Sequence, residues 1–300
     1  MVNYYPYAER TRDTQYRRMI KRIMDNGILM PENRQGVSAL TLIQETMAFD
    51  LRNGFPVIPD RDVSKFWDKG IGELCAFING VTTADELKEF GANWWGAWTT
   101  PEKCELFGLE PGDIGPASYG GAFAAFPTLD GGRFDQFENL VRQIKELPNE
   151  RTHAVSNWMP AENARGEDFV QGNTIAPCHG DLNVFILEDR IHLHMKQRSG
   201  DTPVGVPSNI IQYCALMLML EHLTGYEAGV FYHTIVNAHV YSDQVFNMKQ
   251  LVRRTPVRFP TVKLTDVGRK VTNIKDFRRE HFELTDYHPH PAMTAIPVST

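Results

Sequence analysis

The segment from Pro207 to Gly225 limits the possible folds more than any other part of this 300-residue chain. Its sequence NIIQYCALMLMLEHLTG is apolar on nearly every side of a helix, with Pro207 near the start and Gly225 as the cap at the end. Such a helix is stable only when other elements cover all of its faces. The chain must therefore build a core around this helix, and we interpret the methionines of the segment as packing residues.

Helical and strand-like segments flank this helix. Residues 14–26 predict an amphipathic helix that Gly27 ends, and the apolar spacing of residues 134–147 predicts another, ended by Pro148. Runs typical of strands lie at residues 38–51, 181–188, 191–198, 230–236 and 262–264. Because the sequence shows no repeat or linker, we predict an α/β (more narrowly α+β) fold. We expect one domain over residues 1–300, with a mixed β-sheet covered by helices.

Charge and composition exclude several classes of protein. The chain carries 37 acidic and 31 basic side chains, a net charge of −6, and so has no overall attraction to DNA or to an anionic membrane. Its four cysteines are too scattered for a disulfide framework or a zinc site, and we predict no metal ion. No signal region opens the sequence, and its longest purely apolar run is too short to cross a bilayer. We expect a cytoplasmic protein with reduced thiols.

Cys178 is the first candidate for chemistry, in the segment Ala176-Pro177-Cys178-His179. A cysteine between a proline and a histidine, just before a predicted strand, can act as a thiolate nucleophile, although most single cysteines are small buried packing residues. A protease-like pair with His179 is disfavoured, because adjacent residues on a strand point to opposite faces.

A second candidate is the polar segment from Gln197 to Asp201, followed by Asn209 at the start of the long helix. The Arg198 guanidinium suits a phosphate, and the Asn209 amide can both donate to and accept from the edge of a base. Polar residues at a strand end and a helix start also occur for structural reasons alone. These residues by themselves leave both interpretations open.

Together the two segments resemble the signature of the thymidylate synthase family, folate-dependent enzymes that methylate dUMP. The resemblance rests on APCHGDLNVFILEDRIHLHMKQRSGDTPVGVPSNIIQYCALML and on shorter motifs that follow the family's order over about residues 15–300. Those motifs are Asn33-Arg34-Gln35-Gly36, Gly72-Glu73-Leu74, Trp95-Gly96-Ala97-Trp98, Ser118-Tyr119-Gly120, Phe134-Asp135-Gln136, Ala238-His239-Val240-Tyr241 and Tyr287-His288-Pro289-His290-Pro291. The resemblance implies a homodimer whose interface is one face of the sheet.

The resemblance also implies the catalytic residues. Cys178 would add to C6 of the pyrimidine and so make C5 nucleophilic, and Arg198 would favour its thiolate. Tyr119 and Glu73 would assist the proton transfers. Asn209 would form hydrogen bonds to the N3–O4 edge of the base. The implied cofactor is 5,10-methylenetetrahydrofolate, and the implied substrate is a dUMP-like nucleotide.

Binding residues follow from the same resemblance. The implied nucleotide-binding residues are Arg34, Arg151, His179, Gln197, Arg198, Ser199, Asn209, His239 and Tyr241, with Arg151 donated across the dimer interface. The implied folate-binding residues are Trp95, Trp98 and Asp201. Asn209 and His179 favour uracil, because cytosine-specific relatives typically carry Asp in place of this asparagine and a 4-amino group needs an acceptor.

The sequence departs from the family pattern mainly on the cofactor side. Thr152 stands where the family has a second interface arginine, and the segment from Tyr119 to Ala124 lacks the usual Trp and Arg. The segment after Phe55-Pro56 is longer, and the tail Val298-Ser299-Thr300 is more polar than the family's apolar tail. If water reached the one-carbon unit first, the product would be 5-hydroxymethyl. We predict methylation of dUMP, with 5-hydroxymethylation of dUMP, before dCMP or CMP, as the alternative.

Hypotheses from other classes remain open. A nucleotide-binding regulator or RNA-binding protein could share the fold and have lost catalysis, but retention of Cys178 argues against it, because a binding module needs no nucleophile. A cysteine hydrolase is disfavoured by the strand geometry given above.

Overall fold

The computed structural model describes residues 2–32, 36–163, 171–293 and 295–298, which form a mixed α/β architecture. The helices are α1 (Gln15–Asn26), α2 (Lys69–Ile78), α3 (Ala84–Glu89), α4 (Pro101–Glu105), α5 (Tyr119–Ala124), α6 (Gln136–Glu146), α7 (Pro160–Asn163), α8 (Gly205–Thr224) and α9 (Val245–Leu251). The strands are β1 (Ile28–Met30), β2 (Ala39–Asp50), β3 (Phe126–Pro127), β4 (Arg133–Phe134), β5 (Ala154–Val155), β6 (Asp181–Leu187), β7 (Arg190–Asp201), β8 (Glu227–Tyr241), β9 (Thr261–Leu264) and β10 (Phe282–Thr285).

A six-stranded sheet in the order β1-β2-β8-β7-β6-β5 forms the centre of the fold. In this sheet β7 and β8 run parallel, and the other neighbouring strands are antiparallel. A parallel pair needs a crossover connection, and α8 supplies it between these two strands. The prediction of a mixed sheet covered by helices is confirmed.

The long helix α8 is buried along most of its length, as its apolar sequence predicts. One side lies on β7 and β8, and α2 and α6 pack on another. Gly225 ends the helix with a left-handed φ of 87°, and its N–H donates to Glu221 O at 2.9 Å. Glycine suits this cap because it has no Cβ to strain the backbone. Among the described residues, no helix is both long and apolar enough to span a membrane.

The helix expected over residues 134–147 is shorter than its apolar spacing suggests. The Asp135 side chain accepts from Glu138 N at 2.9 Å and so caps a helix that starts one residue later. Phe134 therefore falls in β4 and Leu147 follows the helix end, and their side chains are 40% and 52% exposed. The prediction that the helix includes Phe134 and Leu147 is wrong.

Cys178 and His179 lie in a loop before the sheet. The strand β6 begins only at Asp181, because Gly180 has a φ of 103°, which is outside the strand region. The argument that strand alternation separates Cys178 from His179 is therefore wrong. The relative position of the two side chains depends on the conformation of the loop and on the contacts that each side chain makes.

The two faces of the large sheet differ in their surroundings. On the inner face, Met47 and Phe231 are buried beneath α1 and α8. The outer face exposes large apolar side chains, with exposed fractions of 70% for Ile43, 36% for Phe185, 57% for Leu187, 39% for Tyr232 and 38% for Val236. Large exposed apolar patches are typical of surfaces that bind another molecule.

Candidate active site

The candidate site residues gather where β7 and β8 end. Arg198 and Asp201 lie at the end of β7, and His239 and Tyr241 lie at the end of β8. Asp201 is the register partner of His239. Because the two strands are parallel, their carboxyl ends and the start of the crossover helix α8 meet at one edge of the sheet. This edge brings together residues that are far apart in sequence.

Cys178 lies in the loop before β6, with its side chain next to Arg198. The guanidinium Nη2 is 3.2 Å from the Cys178 Sγ and donates to Ala176 O at 3.1 Å, and Nε donates to Pro177 O at 3.2 Å. Burial raises the pKa of the Cys178 thiol, and the charge of Arg198 acts in the opposite direction. The unliganded thiol is therefore less acidic than an ordinary cysteine, even though Arg198 favours its thiolate as expected.

Trp158 also positions the guanidinium. Its ring lies 5.4 Å from the Arg198 Cζ, within the range of a cation–π contact. Together with the two backbone carbonyls, the ring holds the Arg198 side chain against the cysteine loop.

Tyr119 and His179 form the wall behind the cysteine. The Cys178 N–H donates to Tyr119 Oη at 2.7 Å, and the Tyr119 and His179 rings stack with centroids 4.5 Å apart. His179 Nδ1 is 2.7 Å from Tyr213 Oη, so His179 bonds to this phenol. Burial lowers the pKa of His179 to about 3 and keeps the ring neutral. The histidine therefore supports the wall as a neutral ring.

Glu73 is a buried carboxylate with three hydrogen-bond donors. Its Oε1 accepts from Trp94 Nε1 at 2.9 Å and from Trp95 Nε1 at 2.5 Å, and its Oε2 accepts from Gln212 Nε2 at 2.6 Å. Burial raises the pKa of Glu73 to about 7, against the effect of these donors. A carboxyl group that titrates near neutral pH suits general acid–base catalysis.

Hydrogen-bonded amide side chains connect Glu73 to Asn209, the residue that is predicted to bind the base. Gln212 Oε1 accepts from Asn209 Nδ2 at 2.9 Å, and Asn209 Oδ1 accepts from Gln197 Nε2 at 3.0 Å. Gln197 Oε1 lies 2.8 Å from His233 Nε2. Because each amide has a donor end and an acceptor end, these bonds fix the orientation of Asn209. Its remaining acceptor and donor capacity matches the N3–H and O4 groups of uracil.

Asp201 and His239 are the polar groups on the other side of the site. Both Asp201 oxygens lie 3.2 Å from Gln244 Nε2, and burial raises the pKa of this carboxyl to about 7. His239 Nδ1 lies 2.9 Å from Asn237 Oδ1, and burial lowers its pKa to about 4. The His239 and Tyr241 ring centroids are 4.9 Å apart.

The remaining predicted residues have different surroundings. The Trp95 and Trp98 rings lie 6.2 Å apart at 54°, and Trp95 Nε1 donates to Glu73. Ser199 is partly buried next to Arg198, and Arg151 is exposed in the turn before β5. Arg34 lies outside the described residues. Within the described part of the chain, no group of His, Cys, Asp or Glu side chains could hold a metal ion.

Several residues at the site were not predicted for it. These residues are Gln212, Trp94, Trp158, Tyr213 and Gln244. The sequence could have indicated Gln212 as a site residue, because it follows Asn209 by three residues and therefore lies on the same face of α8. The others bond to partners that are distant in sequence or in another element.

The chain is similar to known proteins over nearly its whole length. The family model described as "Thymidylate synthase" matches residues 14–299. A protein of Equine herpesvirus 2 (strain 86/87) named "Thymidylate synthase" is 34% identical over 289 residues, covering 93% of this chain and 96% of that protein. The fold, the site and these matches define an enzyme of the methyltransferase class. The chain belongs to the thymidylate synthase family.

Proposed function

We propose that this chain transfers a one-carbon unit from 5,10-methylenetetrahydrofolate to C5 of dUMP and so forms thymidylate. The observation that carries this proposal is the Cys178 sulfur 3.2 Å from the Arg198 guanidinium, in a loop that Tyr119 also supports. The activity in the name of the herpesvirus relative supports the same assignment.

Cys178 is the nucleophile in this proposal. Its thiolate adds to C6 of the uracil ring, and the electron pair of the C5–C6 double bond moves to C5 and O4. Binding of the nucleotide phosphate next to Arg198 fixes the ring over the sulfur. Asn209, oriented by Gln197 and Gln212, accepts from N3–H and donates to O4.

Glu73 and Tyr119 handle the protons. A Glu73 carboxyl with a pKa near 7 exists in both protonation states at neutral pH, so it can donate a proton to a leaving amine and later accept one. Tyr119 Oη lies beside the cysteine loop and assists removal of the C5 proton, through ordered water where the distance requires it.

The folate side fits a reduced pterin. The rings of Trp95 and Trp98 offer an apolar wall, and the Asp201 carboxyl can bond to pterin nitrogens. When bound, 5,10-methylenetetrahydrofolate supplies the one-carbon unit and, for the methyl product, the hydride. The protein's task on this side is to hold the ring and exclude water until that transfer.

We also propose that two chains form a homodimer through the outer face of the large sheet. The apolar side chains exposed there support this, and the exposed Arg151 is free to reach a partner's nucleotide phosphate. A cytoplasmic location accords with four free cysteines.

Release of tritium tests the proposal. Enzyme, cofactor and C5-tritiated dUMP should release tritium to water, and C5-tritiated dCMP should release far less. The product mass should be that of thymidylate. A 5-hydroxymethyl product would support the alternative, in which water reaches the one-carbon unit first. The polar end of the tail, where Val298 is half-exposed, motivates this alternative. Release of tritium from neither nucleotide would reject both.

A further inference from the structure

Gln244 is a buried side chain that the proposed chemistry does not use. It ends the single helical turn Ser242–Gln244 that follows β8, and its exposed fraction is 0%. Its Oε1 accepts from the Tyr241 N–H at 3.0 Å. Because a backbone N–H can only donate, this bond fixes which end of the amide faces Tyr241.

The NH₂ group of Gln244 is therefore directed to the opposite side, where it has acceptors of two kinds. It lies 3.2 Å from each carboxylate oxygen of Asp201 and donates to Pro297 O at 2.9 Å. A primary amide has two N–H donors, so one can serve the carboxylate while the other serves the tail carbonyl. The flipped amide would place its oxygen against both acceptors and lose all of these contacts.

Pro297 belongs to the C-terminal tail, which is attached to the fold by few polar contacts near its end. Upstream, the His290 N–H donates to Pro59 O at 2.9 Å. Met293 and Ile296 pack against the core, and Val298 is 52% exposed. The bond from Gln244 to Pro297 therefore links the last part of the described tail to the folate side of the site.

We propose that Gln244 is a positioning residue that joins the C-terminal tail to Asp201. This proposal rests on the proposed function, since Asp201 is there assigned to the pterin. Through one amide, the carboxylate assigned to the pterin and the C-terminal tail are held in a fixed relation. Burial raises the pKa of Asp201, and the hydrogen bond from Gln244 acts in the opposite direction because it stabilises the ionised carboxyl.

The test replaces Gln244→Met, which keeps an unbranched side chain of similar length but removes every hydrogen bond. The KM for methylenetetrahydrofolate should rise about tenfold, as expected for loss of a buried charge-assisted hydrogen bond, while the affinity for dUMP stays within about twofold. The matched control is Gln250→Met, the same substitution at an exposed position of α9, which should leave both values unchanged.

A second measurement separates a positioning role from a merely structural one. In a chain that ends at Ile296, the Pro297 carbonyl is gone but the contact with Asp201 remains, so Gln244→Met should raise the KM by clearly less than the tenfold expected in the full chain. Multiplicative effects of the two changes would overturn the proposal. A KM for the folate that stays at the wild-type value in Gln244→Met would also overturn it.

Hydrogen exchange of the unliganded protein gives a readout that needs no activity. Tail amides of residues 292–298 should exchange faster in Gln244→Met than in wild type or Gln250→Met. Unchanged exchange would contradict the proposed link. Failure of the proposed function appears differently, as absence of tritium release from wild type, and leaves the exchange comparison intact.

Discussion

The nucleotide side and the folate side of this site are built differently. Around Cys178, the polar contacts go largely to backbone atoms: Arg198 bonds to carbonyls of the cysteine loop, and the Cys178 N–H bonds to Tyr119. Around Glu73 and Asp201, the contacts are largely between side chains, from indole and amide groups. The cysteine loop therefore depends on the course of the backbone. The folate side depends on which side chains are present, as does the amide chain that holds Asn209.

The departures of the sequence from the family pattern lie mainly on the side that side-chain contacts build. Substitutions cannot easily alter backbone carbonyls, but they can change every partner of a side-chain network. Thr152, the altered segment after Tyr119 and the polar tail depart from the family pattern, and most of these differences fall on the cofactor side. We infer that the first chemical step is more constrained than the fate of the one-carbon unit.

The strongest test of the nucleotide side is Cys178→Ala. Tritium release from dUMP should fall by about 10⁴-fold or more, because the ring carbon has no other nucleophile to activate it. Cys104→Ala, at a buried cysteine in α4, should retain activity. Activity of Cys178→Ala near the wild-type level would refute the proposed mechanism.

On the folate side, Glu73→Gln should lower kcat by about 10²- to 10³-fold, the usual contribution of a general acid–base group. The substitution keeps the shape and the acceptor for Trp94 and Trp95. It also removes a buried carboxyl whose pKa is raised to about 7, so wild type should lose stability relative to the variant as the pH rises through 7. Melting temperatures at pH 5 and pH 8 measure that difference, and a pH-independent difference would contradict the raised pKa.

Asn209→Asp tests the residue that links the nucleotide side to the Glu73 network on the folate side. The aspartate offers an acceptor to a cytosine 4-amino group but no donor to O4 of uracil, so kcat/KM for dUMP should fall by about 10²-fold while that for dCMP rises. Competition between the two nucleotides in one reaction gives the ratio directly. An unchanged preference for dUMP would show that Asn209 does not read the base.

Trp158→Ala should have the smallest effect. Loss of the cation–π contact with Arg198 should raise the KM for dUMP about threefold to fivefold and leave the KM for the folate unchanged. Equal changes in both KM values would mean that the substitution disturbs the site as a whole, and the two sides would not be separable in this way.

The difference between the two sides also explains which site residues could be predicted from the sequence. Cys178, Arg198 and Asn209 lie in one continuous motif, so their order along the chain was enough to predict that they share a site. Gln244 could not be found, because its partners Asp201 and Pro297 are brought to it only by the parallel strands and the tail. At the fold level, α8 followed from its apolar sequence, whereas Phe134 was misplaced because the cap at Asp135 outweighed the apolar spacing.

The burial of the cysteines has a practical consequence. Cys75, Cys104 and Cys214 are buried, and Cys178 alone of the four is partly accessible. A thiol reagent added to the native enzyme should therefore label one sulfur per chain, and it should label all four after denaturation. The ratio of these two stoichiometries measures what fraction of a preparation is correctly assembled, and saturating nucleotide should suppress the native signal.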